Sequence, residues 1–496
     1  KEQGNVKINR LRVIHIYEAD YNFLIGAVWR EAIQHAQELG KINQGQYGGC
    51  PGRDCTSVTY LEELRRDISI LTRTPYTNFD NDAASCYDRI LMAVSSLSSR
   101  KYGVHKKVVY VHAATLQEAE YKLKLSSKTS EASYRHCKKF PIHGTGQGSG
   151  NSPAIWCFIS SVLFDCHNQK AHGLTTASPN GDVVVSFSII GFVDDSTCVT
   201  GGKQGETIEQ LLVRVKHDAQ LWHDLLWASG GKLELTKCGF HLIFYDFDHD
   251  GVPSMRKIGD LVITLENEKG EDIEIRTKKI DEARKNLGHW KEPEEIKEPS
   301  QFLVSKTTAT ETSEAIFTSG VNRQEAAVLY QGVFRPKVEY PLAQSFLIDK
   351  HVKKIESVSL PKIMAKCGYN RSTARSIRGG PKEIGGAGFY AFLNTIGASR
   401  VQHFIKNWRT PWEDIGKALR IAMAWTQYSA GVSYPILENT GQDLTYVKGR
   451  TILSVRKHLE ECQAKIHLDT TYVQHPLRKK DVAIMDLVNT QTTYKM

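Results

Sequence analysis

The stretch Val183-Val184-Val185-Ser186-Phe187-Ser188-Ile189-Ile190-Gly191-Phe192-Val193-Asp194-Asp195 decides the reading of this chain. Its β-branched and aromatic residues predict a strand, and the strand ends in two adjacent acids. Paired carboxylates after an apolar strand are costly to bury unless a cation compensates them. They are expected at a strand end or tight turn, a good place to hold a metal.

A second acidic segment lies upstream. Phe79-Asp80-Asn81-Asp82-Ala83-Ala84-Ser85-Cys86-Tyr87-Asp88-Arg89-Ile90 brings three acids within nine residues, which repel one another unless cations are present. Alone, this segment reads equally well as a solvated acidic turn before a helix that starts near Asp88. Two acidic strand ends together favour the metal. Joining nucleotides requires a 3′-hydroxyl to lose its proton and pyrophosphate to leave, and two Mg²⁺ ions about 3.5–4 Å apart serve both ends, with Mn²⁺ as a substitute. Asp82 and Asp194 are the expected ligands of both ions and Asp195 the weaker third carboxylate. Asp80 and Asp88 are secondary candidates.

Between the acidic segments runs Gly144-Thr145-Gly146-Gln147-Gly148-Ser149-Gly150-Asn151-Ser152-Pro153, followed by a helix expected over Ala154 to Cys166, with Ser152 and Pro153 at its cap and first turn. The glycines allow backbone to approach a ligand. It is not a dinucleotide fingerprint, because Ser149 holds the third glycine position, nor a phosphate loop, because no Gly-Lys-Ser/Thr follows.

The order Asp82, Gln147-Gly148 with Ser152-Pro153, then Phe192-Val193-Asp194-Asp195 resembles motifs A, B and C of reverse transcriptases. In order along the chain, Leu11-Arg12-Val13-Ile14 and Gly52-Arg53 after Gln46-Tyr47-Gly48-Gly49 resemble the fingers motifs, Leu233-Glu234-Leu235-Thr236-Lys237 motif D, and Leu287-Gly288 the primer-grip motif E. Asp82 followed six residues later by Asp88, with Cys86-Tyr87 between, is most similar to the non-LTR (LINE-type) retrotransposon branch. Val193 stands where alanine is common in that family, at an apolar position. The resemblance covers residues 5 to 290 by motif and the remainder through Trp408 more loosely.

The resemblance implies an α+β right-hand polymerase fold, with fingers, a palm of antiparallel sheet plus helices, and a helical thumb. The expected division is 1–78 (N-terminal fingers), 79–245 (palm with inserted fingers elements), 246–294 (β-hairpin connector and primer grip), 295–410 (thumb-like basic helices) and 411–496 (no role assigned). It implies RNA-directed DNA synthesis in the nucleus, extending a DNA primer on an RNA template with dNTPs. It further implies that Tyr87 is a steric gate against the ribose 2′-hydroxyl, with Ala83 beside it in the nucleotide site. Gln147 and Gly148 would support template and incoming base, Lys237 would face the leaving pyrophosphate, Arg12 and Arg53 would meet triphosphate or template, and Leu287 and Gly288 the primer. An RNA-dependent RNA polymerase is one rival, but such enzymes place Ser-Gly and a distant Asn in motif B. A domesticated copy that only binds RNA is another; its metal ligands would be damaged, and here they are intact.

Composition agrees with a large multi-lobed protein. The 496 residues, 41% hydrophobic and 24% charged, exceed one hydrophobic core and provide for about three subdomains. The longest apolar stretch, Ala154 to Phe164, is too short to span a membrane. Ten scattered cysteines without a Cys-x-x-Cys pair argue for a reducing, intracellular setting rather than a zinc ribbon or disulfide framework. The start at Lys1 without methionine suggests a piece of something longer. Of the net charge of +9, Lys350 through Arg409 contribute +10, from twelve Lys or Arg against two Glu. Such a concentrated basic segment suits a phosphate backbone. Within it Arg371, Arg375 and Arg378, at i, i+4 and i+7, are expected on one helical face touching duplex.

Helical spacing is also expected over Glu206 to Ala228, and a hairpin from Leu261–Leu265 and Ile273–Arg276 about Gly270. Asp246-Phe247-Asp248-His249-Asp250-Gly251 opens like an EF-hand, but Lys257 occupies the twelfth position, where a bidentate Glu is needed.

Overall fold

The computed structural model describes residues 14–470, apart from 84–85, 126, 204, 294–295 and 371, together with 482–487. Arg12 and Arg371 lie outside the described residues.

The fold is α+β and is organised on one antiparallel sheet. Strand β1 (Tyr76–Asn81) lies inside it, flanked by β3 (Asp195–Gly201) and β4 (Gly239–Ile243), with β2 (Ile189–Phe192) outside β3. Successive side chains of a strand point to opposite faces, and both faces are apolar. Phe79, Ile189, Cys198 and Phe240 enter one core, while Tyr76, Ile190, Val199 and Ile243 enter another. Helices cover each face. On the first lie α1 (Ala19–Glu38), α3 (Ser152–Lys170) and α4 (Ile208–Ala228). On the second lie α2 (Cys55–Thr72), α8 (Asp414–Ala430) and α9 (Thr451–Glu461). A third core gathers α5 (Ser300–Thr318), α6 (Asp349–Lys366) and the start of α7 (Phe392–Trp408).

Local signals explain the helix ends. Thr207 and Gln210 form a reciprocal capping box at the start of α4, which buries Leu211, Val215, Ala219, Trp222 and Leu226 as the spacing requires. Asn151 precedes α3, with Pro153 in its first turn. The expected hairpin is present as Val262–Glu266 paired with Asp272–Arg276.

Three expectations change. The apolar stretch 183–193 is two strands: Val184–Phe187 pairs with Leu174–Ala177 in a separate hairpin, and only Ile189–Phe192 joins the main sheet. They part at Ser188, whose hydroxyl bonds His167 Nδ1 (2.8 Å) and Asn168. The helix expected near Asp88 is one turn, Cys86–Arg89. Of the three arginines, Arg375 and Arg378 share one short helix, and Arg371 lies outside the described residues. Helix α6 ends at Lys366, Gly368 (φ +86°) turns the chain, and Arg375 opens a separate five-residue helix to Gly379. Lastly, the segment after residue 410 acquires a structural role, because α8 and α9 complete the second core.

Helix α2 is buried almost throughout, including Glu62, Glu63 and Asp67. Buried carboxylates need cations or hydrogen-bond donors, and these come from distant parts of the chain. They include a hairpin of β5 (Arg284–Asn286) and β6 (His289–Lys291). The Arg284 guanidinium bonds Glu62 at 2.8 Å and also Asp80 of β1. Lys291 Nζ lies 3.0 Å from Glu62 and 2.9 Å from Glu63, and Arg450 lies 2.7 Å from Glu63. Asp67 Oδ2 accepts the amides of Arg450 (2.9 Å) and Thr451 (2.6 Å), closing the N-terminus of α9.

Burial works to raise these carboxyls, and the cations outweigh it at three of them. Lys291 and Arg284 bring Glu62 down to about 2. Arg450 and Lys291 hold Glu63 well below the carboxylate range, and Arg284 does the same for Asp80. At Asp67 burial prevails over Arg66 and the Thr451 amide, so its carboxyl stays raised. Among the described residues no helix is long and apolar enough to cross a membrane.

The network gives a stability prediction. Arg284→Met leaves Asp80 and Glu62 short of a buried partner and should lower urea stability by about 3–5 kcal/mol. Because Glu62 titrates lower in the folded chain, its contribution is full above pH 4.5 and fades as pH falls towards about 2. Urea midpoints measured across that window should fall less steeply in Glu62→Gln than in the parent.

Candidate active site

Strand register assembles the acidic centre. Asn81 of β1 pairs with Ser196 of β3, so Asp82 and Asp195, the next residue on each strand, emerge at the same edge. Strands β2 and β3 form a tight hairpin in which Phe192 pairs with Asp195, leaving Val193-Asp194 as the turn. Val193 has φ +60°, a left-handed conformation that β-branched residues rarely adopt.

Neighbouring backbone holds that turn in place. Trp156 Nε1 on α3 donates to the Val193 carbonyl at 2.5 Å. The segment 45–48 lies along β2, with the Tyr47 amide on Gly191 O and the Gly191 amide on Gly45 O, both 2.9 Å. Gly48 abuts Val193 so closely that its backbone leaves no space for a Cβ. The Gln46 amide fixes the segment from inside, donating to Ser160 (2.6 Å) and accepting the Gly48 amide (2.8 Å).

Asp194 and Asp195 are exposed and Asp82 is half-exposed. Partial burial, then the charges of Asp194 and Asp82, raise the Asp195 carboxyl. Lys237, on a 3-10 turn after α4, reaches Asp82 Oδ2 at 3.0 Å. That contact raises the Lys237 ammonium. Crowded carboxylates with an ammonium against one of them fit a cation site, and an all-oxygen donor set suits Mg²⁺ or Mn²⁺. The three are gathered but not closed to chelating distance: among the described residues, the one group whose donor atoms lie within 4.8 Å of one another is His172, His217 and Asp218.

The other expected residues fall at several places. Ala83 bridges to Leu233 just past Asp82. The Tyr87 ring lies 6.4 Å from that of Trp156, and its carbonyl accepts the Thr145 amide at 2.9 Å. The glycine loop is thereby docked beside Asp82's segment. Gly146 and Gly148 have φ of +77° and +110° and pack against Tyr17 and His15, while the Gln147 carbonyl accepts the His15 amide at 2.7 Å. Arg53 bonds the carbonyls of Asn43 (2.8 Å) and Gln46 (2.7 Å), so its guanidinium clasps the loop that supports the turn. Leu287 (φ +49°) and Gly288 (φ +81°) form the two-residue turn of the β5–β6 hairpin, and Tyr340 Oη donates to the Leu287 carbonyl at 2.7 Å. Arg375 is exposed, and Arg378 faces Glu356 at 3.4 Å.

Asp80 is absorbed by Arg284 and lies 3.5 Å from Lys278, which separates it from the acidic edge. Trp156 and Arg284 were not found by sequence reasoning, and Gly48 was read only as part of a fingers motif. Trp156 reads as one more apolar position in a helix, and nothing local marks its indole as a support for the turn.

No family model matches the chain, and no curated protein matches it. Among solved structures it is similar to telomerase from Candida albicans and telomerase from Candida tropicalis, each in complex with a TWJ fragment of telomeric RNA. Both are 12% identical over 82% of this chain, with TM-scores of 0.31 and 0.34. Apo telomerase from Candida tropicalis is similar at 12% identity over 81% of this chain, with a TM-score of 0.34. The chain spans 54% to 61% of the length of those chains. At such scores the functional argument rests on the residues themselves.

Trp156→Phe removes the donor to Val193 and keeps most of the ring. It should cost about 1–3 kcal/mol in urea unfolding, whereas the same substitution at exposed Trp412 should be nearly neutral.

Proposed function

We propose that this chain is an RNA-directed DNA polymerase of the non-LTR retrotransposon type, extending a DNA primer on an RNA template. One observation carries the reading: strand register and a supported turn bring Asp82, Asp194 and Asp195 to one edge, with Lys237 on Asp82 and the Gly146–Gly148 loop docked through Thr145 onto Tyr87.

When bound, two Mg²⁺ ions held by Asp82 and Asp194, with Asp195 as third carboxylate, would lower the pKa of the primer hydroxyl and neutralise the departing pyrophosphate. The chain's own groups do the rest. Lys237, exposed and paired with Asp82, exchanges that carboxylate for the pyrophosphate as negative charge develops there. Tyr87 presents an aromatic wall to the sugar, and Gln147 presents its amide to the base edge from a glycine loop that admits close approach. The Leu287-Gly288 turn bears on the primer, and Arg375 and Arg378 in the basic segment meet duplex phosphates. Nuclear residence follows from use of a chromosomal DNA primer.

Asp194→Asn should lower primer extension on RNA by about 10²–10³-fold or more while duplex affinity changes little. Parent-like extension by the purified variant would remove the site assignment. Supplying dNTPs and rNTPs separately distinguishes DNA from RNA synthesis, and no extension with either leaves an RNA-binding chain.

Tyr87→Ala tests sugar choice independently. The ratio of kcat/KM for dCTP over CTP on one primed template should fall by about tenfold to a hundredfold. An unchanged ratio with dCTP still incorporated would make Tyr87 a packing residue only.

A further inference from the structure

A cluster of two histidines and an aspartate lies away from the acidic edge, beside the far end of β3. Thr200 on β3 is five residues from Asp195, or about 17 Å along the strand, and its hydroxyl donates to Asp218 Oδ2 at 2.7 Å. Asp218 is buried near the middle of α4. Its Oδ2 also accepts the Gly173 amide at 3.1 Å, and Oδ1 accepts the His172 amide at 2.8 Å. The carboxylate is thus fixed before any ligand arrives.

Two imidazoles stand over it. His217 Nδ1 is 3.1 Å from Asp218 Oδ1, and the His172 and His217 rings are 4.8 Å apart between centroids. One donor atom from each of the three residues falls within 4.8 Å of the others. Ligands about 2.0 Å from a tetrahedral ion are roughly 3.3 Å apart, so the His217–Asp218 edge already has the required span. The His172 ring makes no hydrogen bond among the described residues, although it faces a fixed carboxylate and a second imidazole. An Asp–His pair alone would not need it there.

We propose that His172, His217 and Asp218 bind a divalent transition ion of the zinc class. Two imidazoles and one carboxylate suit Zn²⁺ and its neighbours, whereas Mg²⁺ prefers an all-oxygen octahedron. The ion takes the place of the proton between His217 and Asp218, and Asp218 Oδ1 keeps the His172 amide. Both imidazoles are exposed, which gives the ion an entry path and leaves its remaining positions to water. Bound there, it ties α4 to the 171–173 turn that follows α3, and it stabilises the folded chain by mass action.

The test uses the full chain and Zn²⁺ itself, and it stands whether or not the chain polymerises nucleotides. Zn²⁺ should raise Tm in a saturable way that Mg²⁺ does not reproduce, and Co²⁺ should give the visible absorption of a low-coordinate site with nitrogen ligands. His172→Ala and His217→Ala should each weaken Zn²⁺ affinity by more than about tenfold, and His172→Gln covers the case in which alanine disturbs the turn. An Asp82→Asn/Asp194→Asn double variant should keep the response, which separates this site from the acidic edge. No Zn²⁺ response in the parent, or one undiminished in the His172→Ala/His217→Ala double variant, overturns the proposal.

Discussion

Neutralising the acids buried on α2 is the constraint on which the rest of the structure depends. Glu62, Glu63 and Asp67 are almost wholly withdrawn from water, and removing the partner of a buried charge costs far more than losing a surface ion pair. The chain meets this demand with Arg284, Lys291 and Arg450. In doing so it draws the β5–β6 hairpin, the end of β1 and the N-terminus of α9 to one helix. Arg284 carries the linkage into the site, since the guanidinium that bonds Glu62 also bonds Asp80, two residues before Asp82. The acidic edge is therefore positioned from behind by charge and from the side by strand pairing.

The turn at Val193 depends on a different kind of support. A valine with positive φ persists only where its surroundings over-determine it, and here an indole donor, a glycine backbone and the loop clasped by Arg53 all act on the same few atoms. The rigidity of that corner comes from parts of the chain more than a hundred residues apart.

Much of the acidic edge was legible because strand pattern and carboxylate placement are local signals. β-Branched and aromatic residues ending in Asp194-Asp195 and the spacing about Asp82 pointed to two strand ends, and the structure pairs those strands. The helical spacing over Glu206 to Ala228 and the hairpin about Gly270 were legible for the same reason. Long-range compensation was not. Nothing near Arg284 in sequence indicates that it belongs to Asp80 and Glu62, and nothing in 414–461 indicates that those helices complete the face of α2. Ser188 reads as one more strand residue until its hydroxyl is seen anchored to His167. Arg375 and Arg378 share a short helix of their own, separated from α6 by the turn at Gly368.

The pairing of α2 with α8 and α9 has a consequence for synthesis. Leu64 of α2 and Val455 of α9 share one core, yet they leave the ribosome nearly four hundred residues apart. At about 5–20 residues per second, α2 waits roughly 20–80 s for its cover. During that interval its apolar side and its acids have no native partner from α9 or Arg450. Apolar surface left open during synthesis favours aggregation, and a chain stalled before residue 450 would lack the cover that α9 gives the second core.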